Sequence, residues 1–123
     1  RGGVLMRAIP LKLLVHSCTL KKQTGLDRNR NPTYTETVLK RVRIGATFQT
    51  LRGSIGETKA DTMTLIIDAK NTRYETAAGE QAAAVIPAEN DAIEWQGQNF
   101  TVRSVTPCYA QGNAPHHWEV TLE

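Results

Sequence analysis

The chain has 123 residues, 40% of them hydrophobic and 22% charged, with a formal net charge of +3. That is enough material for one core and too little for two, and it is too apolar for a disordered chain. The small positive excess does not by itself make a DNA-binding protein, since it gives only weak, salt-sensitive attraction to phosphates.

No apolar run approaches the length of a bilayer span. The apolar stretch Ala8 to Val15 is interrupted by Pro10 and Lys12 and lacks a small-residue cleavage site, so a signal peptide is not expected either. Arg1-Gly2-Gly3 is what a ribosome-binding site yields when it is translated in frame, and Met6 follows at initiation spacing. Met6 is therefore expected to be the start, residues 1–5 a non-native or upstream-translated extension, and residues 6–123 one domain. An intact mass beginning upstream of Met6 in natively produced protein would refute this.

Leu13 to Leu20 reads as a buried strand, with Leu14, His16, Cys18 and Leu20 on one face and a semi-apolar second face. Lys21 to Thr33 holds Gly25, Asp27, Asn29, Asn31 and Pro32, which predicts a long turn or flexible loop. Tyr34 to Thr50 is rich in β-branched and aromatic residues and predicts one or two strands, with Gly45 marking a bulge or bend. Arg52 to Glu57 is a loop with two glycines. Asp61 to Asp68 predicts a strand with Met63, Leu65 and Ile67 on one face.

Asn71 to Ala84 is rich in helix formers divided by Gly79, which predicts a short helix or an ordered loop. Ile93 and Trp95, a turn at Gln96-Gly97-Gln98-Asn99, and then Phe100 and Val102 predict a hairpin with one buried face. Trp118, Val120 and Leu122 alternate with polar residues as a closing strand. The fold class expected is all-β and mostly antiparallel: a small barrel or sandwich of at least six strands with at most one short helix. Trp95, Phe100, Val102, Trp118 and Val120 are its expected core.

No reaction centre is evident, and no enzyme is expected. Gly-x-Ser-x-Gly, His-Glu-x-x-His and the phosphate-binding Gly-x-x-x-x-Gly-Lys are all missing. Cys18 and Cys108 are the only cysteines, read as small, partly buried apolar residues of a reducing cytoplasm. A Cys108–His116 dyad would need a lowered thiol pKa and an orienting third group, neither visible. His116 and His117 would point to opposite faces of a strand and not share one metal ion, with Cys18, Cys108, His16 and Glu119 the only available helpers. Neither a metal nor a cofactor is expected. Base stacking is weakly signalled, because Phe100 and Arg103 lie on opposite faces of their strand unless a bulge intervenes.

The acidic residue before Ile93-x-Trp95, the Gly97 turn, Phe100-x-Val102 and the ending His116-His117-Trp118-Glu119-Val120 form a pattern. Together with the opening strand and the mid-chain Leu65-Ile66-Ile67-Asp68, it resembles the minor capsid, or head–tail connector, proteins of long-tailed bacteriophages, which are similar to head-closure (stopper) proteins. The likeness spans most of Ile9 to Glu123, and its ending is its sharpest piece. It implies a structural role in a phage or prophage virion, made in the host cytoplasm and placed at the head–tail junction. Copies would form a ring below the portal, close the packaged head and dock the tail.

In stopper-like relatives a loop projects toward the channel. By position that implies Thr50 to Lys59 here, with Arg52 and Lys59 near the DNA and Gly53 and Gly56 letting the loop change shape. The Lys21 to Thr33 loop, with Lys22, Arg28 and Arg30, is implied as a contact with a neighbouring ring. Expected partners are portal or adaptor proteins, tail proteins, further copies of the chain and, non-specifically, packaged DNA; no membrane is expected. Two alternatives remain open: a tail-completion or terminator protein, and an oligonucleotide-binding β-barrel. The latter would bind DNA as a monomer with steep salt dependence, whereas a connector would bind little DNA until a ring assembles.

Overall fold

A computed structural model of the chain describes residues 8–46, 62–110 and 112–123. These residues are almost wholly antiparallel β, and their only helical feature is a 3-10 turn at Leu11–Leu13. Eight strands follow in chain order: β1 (His16–Leu26), β2 (Pro32–Ala46), β3 (Met63–Asp68), β4 (Arg73–Thr76), β5 (Gly79–Gln81), β6 (Ala92–Trp95), β7 (Gln98–Tyr109) and β8 (Pro115–Leu122). They share one sheet in the order β1-β6-β7-β8-β3-β2-β4-β5, and β1 also pairs with β2. Six strands therefore form a closed circuit of hydrogen-bonded neighbours, and the β4–β5 hairpin continues outward from β2.

Alternation along the strands fills the circuit with aliphatic side chains. Leu20, Leu39, Leu65, Ile67, Ile93, Val102, Val120 and Leu122 are fully buried. At about 1.5–3 kcal/mol for each large apolar side chain removed from water, they supply most of the driving force. Val102 and Val120 thus lie in the core as expected, and so does the Leu65–Ile67 face. Trp95, Phe100 and Trp118 do not; they are half-buried and pack against it. A ring of eight strands encloses just enough room for side chains, so a ring of six favours Leu, Ile and Val inside and leaves large rings at its margins.

Bulges break the alternation. Arg41 has a left-handed φ of 63°, and the β1–β2 register slips beside it, from His16↔Val42 to Ser17↔Lys40. Before it Thr37 and Leu39 face inward; after it Val42 and Ile44 do. This is why the Tyr34–Thr50 pattern reads as partial. The bend lies at Arg41 and not at Gly45, which pairs regularly with Thr64. A second slip, between Val102 and Ser104, leaves Arg103 as the extra residue on β7. The bulge intervenes, yet Arg103 is exposed and forms an ion pair with Glu123, so it brings no cation to Phe100.

The predicted helix or loop over Asn71–Ala84 is instead the β4–β5 hairpin. β3 and β4 lie end to end along the same edge of β2, interrupted by a turn at residues 69–72. Fully buried Asp68 organises this joint. Its carboxylate accepts the amides of Ile9 (3.0 Å), Lys70 (3.0 Å) and Asn71 (2.8 Å). Its own amide donates to Thr72 Oγ1, which in turn donates to the carbonyl of Arg41 in the bulge. Among the described residues no buried side-chain nitrogen or oxygen lacks a partner, as a stable core requires. Edge pairing on β2 therefore overrides the local preference of the alanine-rich stretch.

The β6–β7 hairpin closes through Gln96 (φ 52°) and Gly97 (φ 78°), with Trp95 opposite Gln98. Two successive left-handed residues match the twist of the strands they join. The turn is thus shorter than the four residues expected.

Candidate interaction surfaces

Lys21–Thr33 is not a flexible loop. β1 and β2 stay paired to Leu26↔Pro32, well past the last β1–β6 pair (Lys21↔Ala92) and the last β2–β4 pair (Val38↔Glu75). Beyond those limits, residues 22–26 and 32–35 pair only with each other among the described residues. They form a two-stranded arm that leaves the circuit. Such a ribbon is marginal alone in water, and its base is tied down. Lys22 Nζ lies 2.6 Å from Asp91 Oδ2, with both side chains partly buried, and the Thr24 and Thr33 hydroxyls meet at 2.9 Å.

The tip is ordered by Asp27. Its Oδ1 accepts the amides of Asn29 (2.8 Å) and Asn31 (2.9 Å), its amide donates to the carbonyl of Asn31, and Arg30 takes a left-handed φ of 66°. Arg28 and Arg30 are exposed there. Of the three residues expected to contact a neighbour, these two stand at the tip, whereas Lys22 lies in the base of β1 with its charge engaged by Asp91.

Sequence reasoning missed two residues of this arm. Leu26 (60% exposed) and Tyr34 (51%) are large apolar side chains in water. Tyr34 and Pro32 alternate with the inward Thr37 and Leu39, and the register slip between Gln23 and Gly25 sets Leu26 opposite Pro32, so all three lie on the side of the arm continuous with the outer surface of the circuit. The available signal was an isolated leucine in a run otherwise polar from Lys21 to Asn31.

Arg52, Gly53, Gly56 and Lys59 lie outside the described residues. The ends of their segment are fixed: Ala46 and Met63 are register partners at the end of β2 far from the arm.

The other sequence candidates gather where β7 meets β8. The register slips again between Cys108↔His117 and Tyr109↔Pro115, leaving His116 as the extra residue. The two adjacent rings consequently do not point to opposite faces. Their Nδ1 atoms are 2.9 Å apart, with the ring planes at 85°. His117 Nε2 lies 3.2 Å from Glu119 Oε2. Burial, together with the charge of Glu119 and a hydrogen bond to it, pushes the Cys108 thiol up, opposite to the shift a nucleophilic cysteine needs. Burial pushes the Cys18 thiol up to about 12. His16 is engaged elsewhere, accepting the Ile44 amide at 3.0 Å and standing edge-on to Trp95.

The family model described as "Minor capsid protein" matches residues 10–122, from the 3-10 turn to the last residue of β8. The chain belongs to the minor capsid protein family. Its role is accordingly that of a structural component of a bacteriophage virion. Comparison of this minor capsid protein with curated proteins and with solved structures gave no match. Among the described residues, no helix is long and apolar enough to cross a membrane.

Proposed function

We propose that this minor capsid protein is a component of the head–tail connector. Copies form a ring below the portal, help retain the packaged DNA and give the tail a docking surface. The observation that carries the reading is the arm: an ordered projection that presents Leu26, Tyr34, Arg28 and Arg30 to a neighbour rather than to its own core.

The arm opens one end of β2, and the segment holding Arg52, Gly53, Gly56 and Lys59 leaves the other. Fifteen residues of strand separate the two ends by up to roughly 45 Å. A subunit with contacts at opposite ends of one long strand suits a layer held between two others. In this reading the arm reaches the adjacent ring, and Arg52 and Lys59 run beside the DNA path, with Gly53 and Gly56 allowing that segment to change shape. Heterologous contacts repeated about an axis close into a ring, and weak contacts then add around it.

The test is electron microscopy of DNA-filled, portal-bearing heads with and without the purified protein. Added density under the portal and retained DNA are expected. Binding to tail ends alone would favour a tail-completion protein, and binding to neither would end the connector reading.

A further inference from the structure

A second constellation lies away from the arm and plays no part in the connector reading. Cys108 on β7 is the register partner of His117 on β8, and Glu119 follows two residues later on the same face. The Cys108 sulfur, a His117 ring nitrogen and a Glu119 carboxylate oxygen all lie within 4.8 Å of one another. We propose that these three side chains form a zinc site.

The donor set is the first reason. Thiolate, imidazole and carboxylate together suit zinc, whereas calcium and magnesium take oxygen ligands alone. Geometry is the second. Bonds of 2.0–2.3 Å in a tetrahedron hold ligand atoms roughly 3.3–3.8 Å apart, and His117 Nε2 already stands 3.2 Å from Glu119 Oε2. The widest pair, within 4.8 Å, has about 1 Å to close to reach that range.

The third reason is the ring that backs His117. A metal-binding histidine usually gives its other N–H to a partner that fixes its tautomer. At 2.9 Å between the two Nδ1 atoms, one ring donates and the other accepts. If His117 is the donor, its Nε2 is bare and faces Glu119. Only the bulge at His116 brings the rings together, and bulges commonly re-aim a side chain toward a functional site. The His117 side chain is 21% exposed and that of Glu119 51%, so an ion can enter from solvent. Three protein ligands leave a fourth position for water. Bound zinc would clasp the end of β7 to β8 beside exposed Tyr109.

The experiment uses the full chain without a polyhistidine tag, stripped with a chelator and titrated first with Co²⁺ and then with Zn²⁺. Expected are roughly one equivalent bound, a thiolate-to-cobalt charge-transfer band, and its bleaching by zinc but not by excess magnesium. Cys108→Ser should abolish the band. Cys108→Ser and His117→Ala should each weaken zinc binding by more than about 100-fold, and His116→Ala, which removes the backing ring, by about 10–100-fold. Circular dichroism of the metal-free variants separates lost ligands from lost folding, and Glu119→Gln, at an exposed position, gives a further ligand variant. Absence of the band, or zinc affinity unmoved by Cys108→Ser, would overturn the proposal and leave His117 and Glu119 as a hydrogen-bonded surface pair.

Discussion

The closed circuit and the arm are made from the same two strands, yet they obey different physics. Within the circuit, β1 and β2 turn Cys18, Leu20, Leu39, Val42 and Ile44 into a shared core, and the buried polar groups around Asp68 are satisfied. Past Lys21 and Val38 the same strands lose their other neighbours, bury nothing large and hold shape through hydrogen bonds and one partly buried ion pair. Stability resides in the first region. The second spends exposed apolar surface that folding does not use, which is the mark of a contact element.

That contrast is breakable. The largest effect is expected from Leu65→Ala, which empties a fully buried site at the centre of β3; denaturant unfolding should show a loss of about 3 kcal/mol or more. Asp68→Ala should follow at roughly 2–3 kcal/mol in the same assay, because three backbone amides lose a charged acceptor at once.

A smaller effect is expected in alkali. The thiol of Cys18 titrates near 9.0 when unfolded and is pushed up to about 12 by burial in the fold. The folded state therefore holds a proton that the unfolded state releases. This contribution is complete below pH 9 and is lost progressively as pH rises toward 12. By about pH 10 the loss is roughly 1 kcal/mol. Buried Tyr74, pushed up to about 12 by burial and then by Asp68, acts in the same direction. Comparison with Cys18→Ala isolates the thiol: the variant should decline less steeply with pH. An identical decline would show that Cys18 is open to solvent.

Much of the circuit was legible because half-buried strands print their alternation. The Leu65–Ile67 face, Ile93 to Val102 and Val120 to Leu122 all follow it. The arm was illegible for the opposite reason: both its faces are solvated, so Lys21 to Thr33 carries no period to read and its Asn, Asp and Gly residues look like a loop. The β4–β5 hairpin was hidden because its strands are set by the edge of β2 and the Thr72 hydrogen bonds, not by local preference. The bulge at Arg41 leaves no glycine or proline signature; the one at His116 directly follows Pro115, and only it changes the chemistry, by turning two histidines toward each other.

Smallest in stability, and most direct for function, is a change at the arm. Leu26→Ser with Tyr34→Ser, and separately Arg28→Glu with Arg30→Glu, should leave unfolding within about 0.5 kcal/mol of the parent, since none of the four residues is buried. The decisive measurement is binding of these two double variants, beside the parent protein, to DNA-filled heads imaged by electron microscopy. Density under the portal is expected for the parent, and its loss for both folded variants. Full occupancy by folded variants of both kinds would contradict the arm as the contact element.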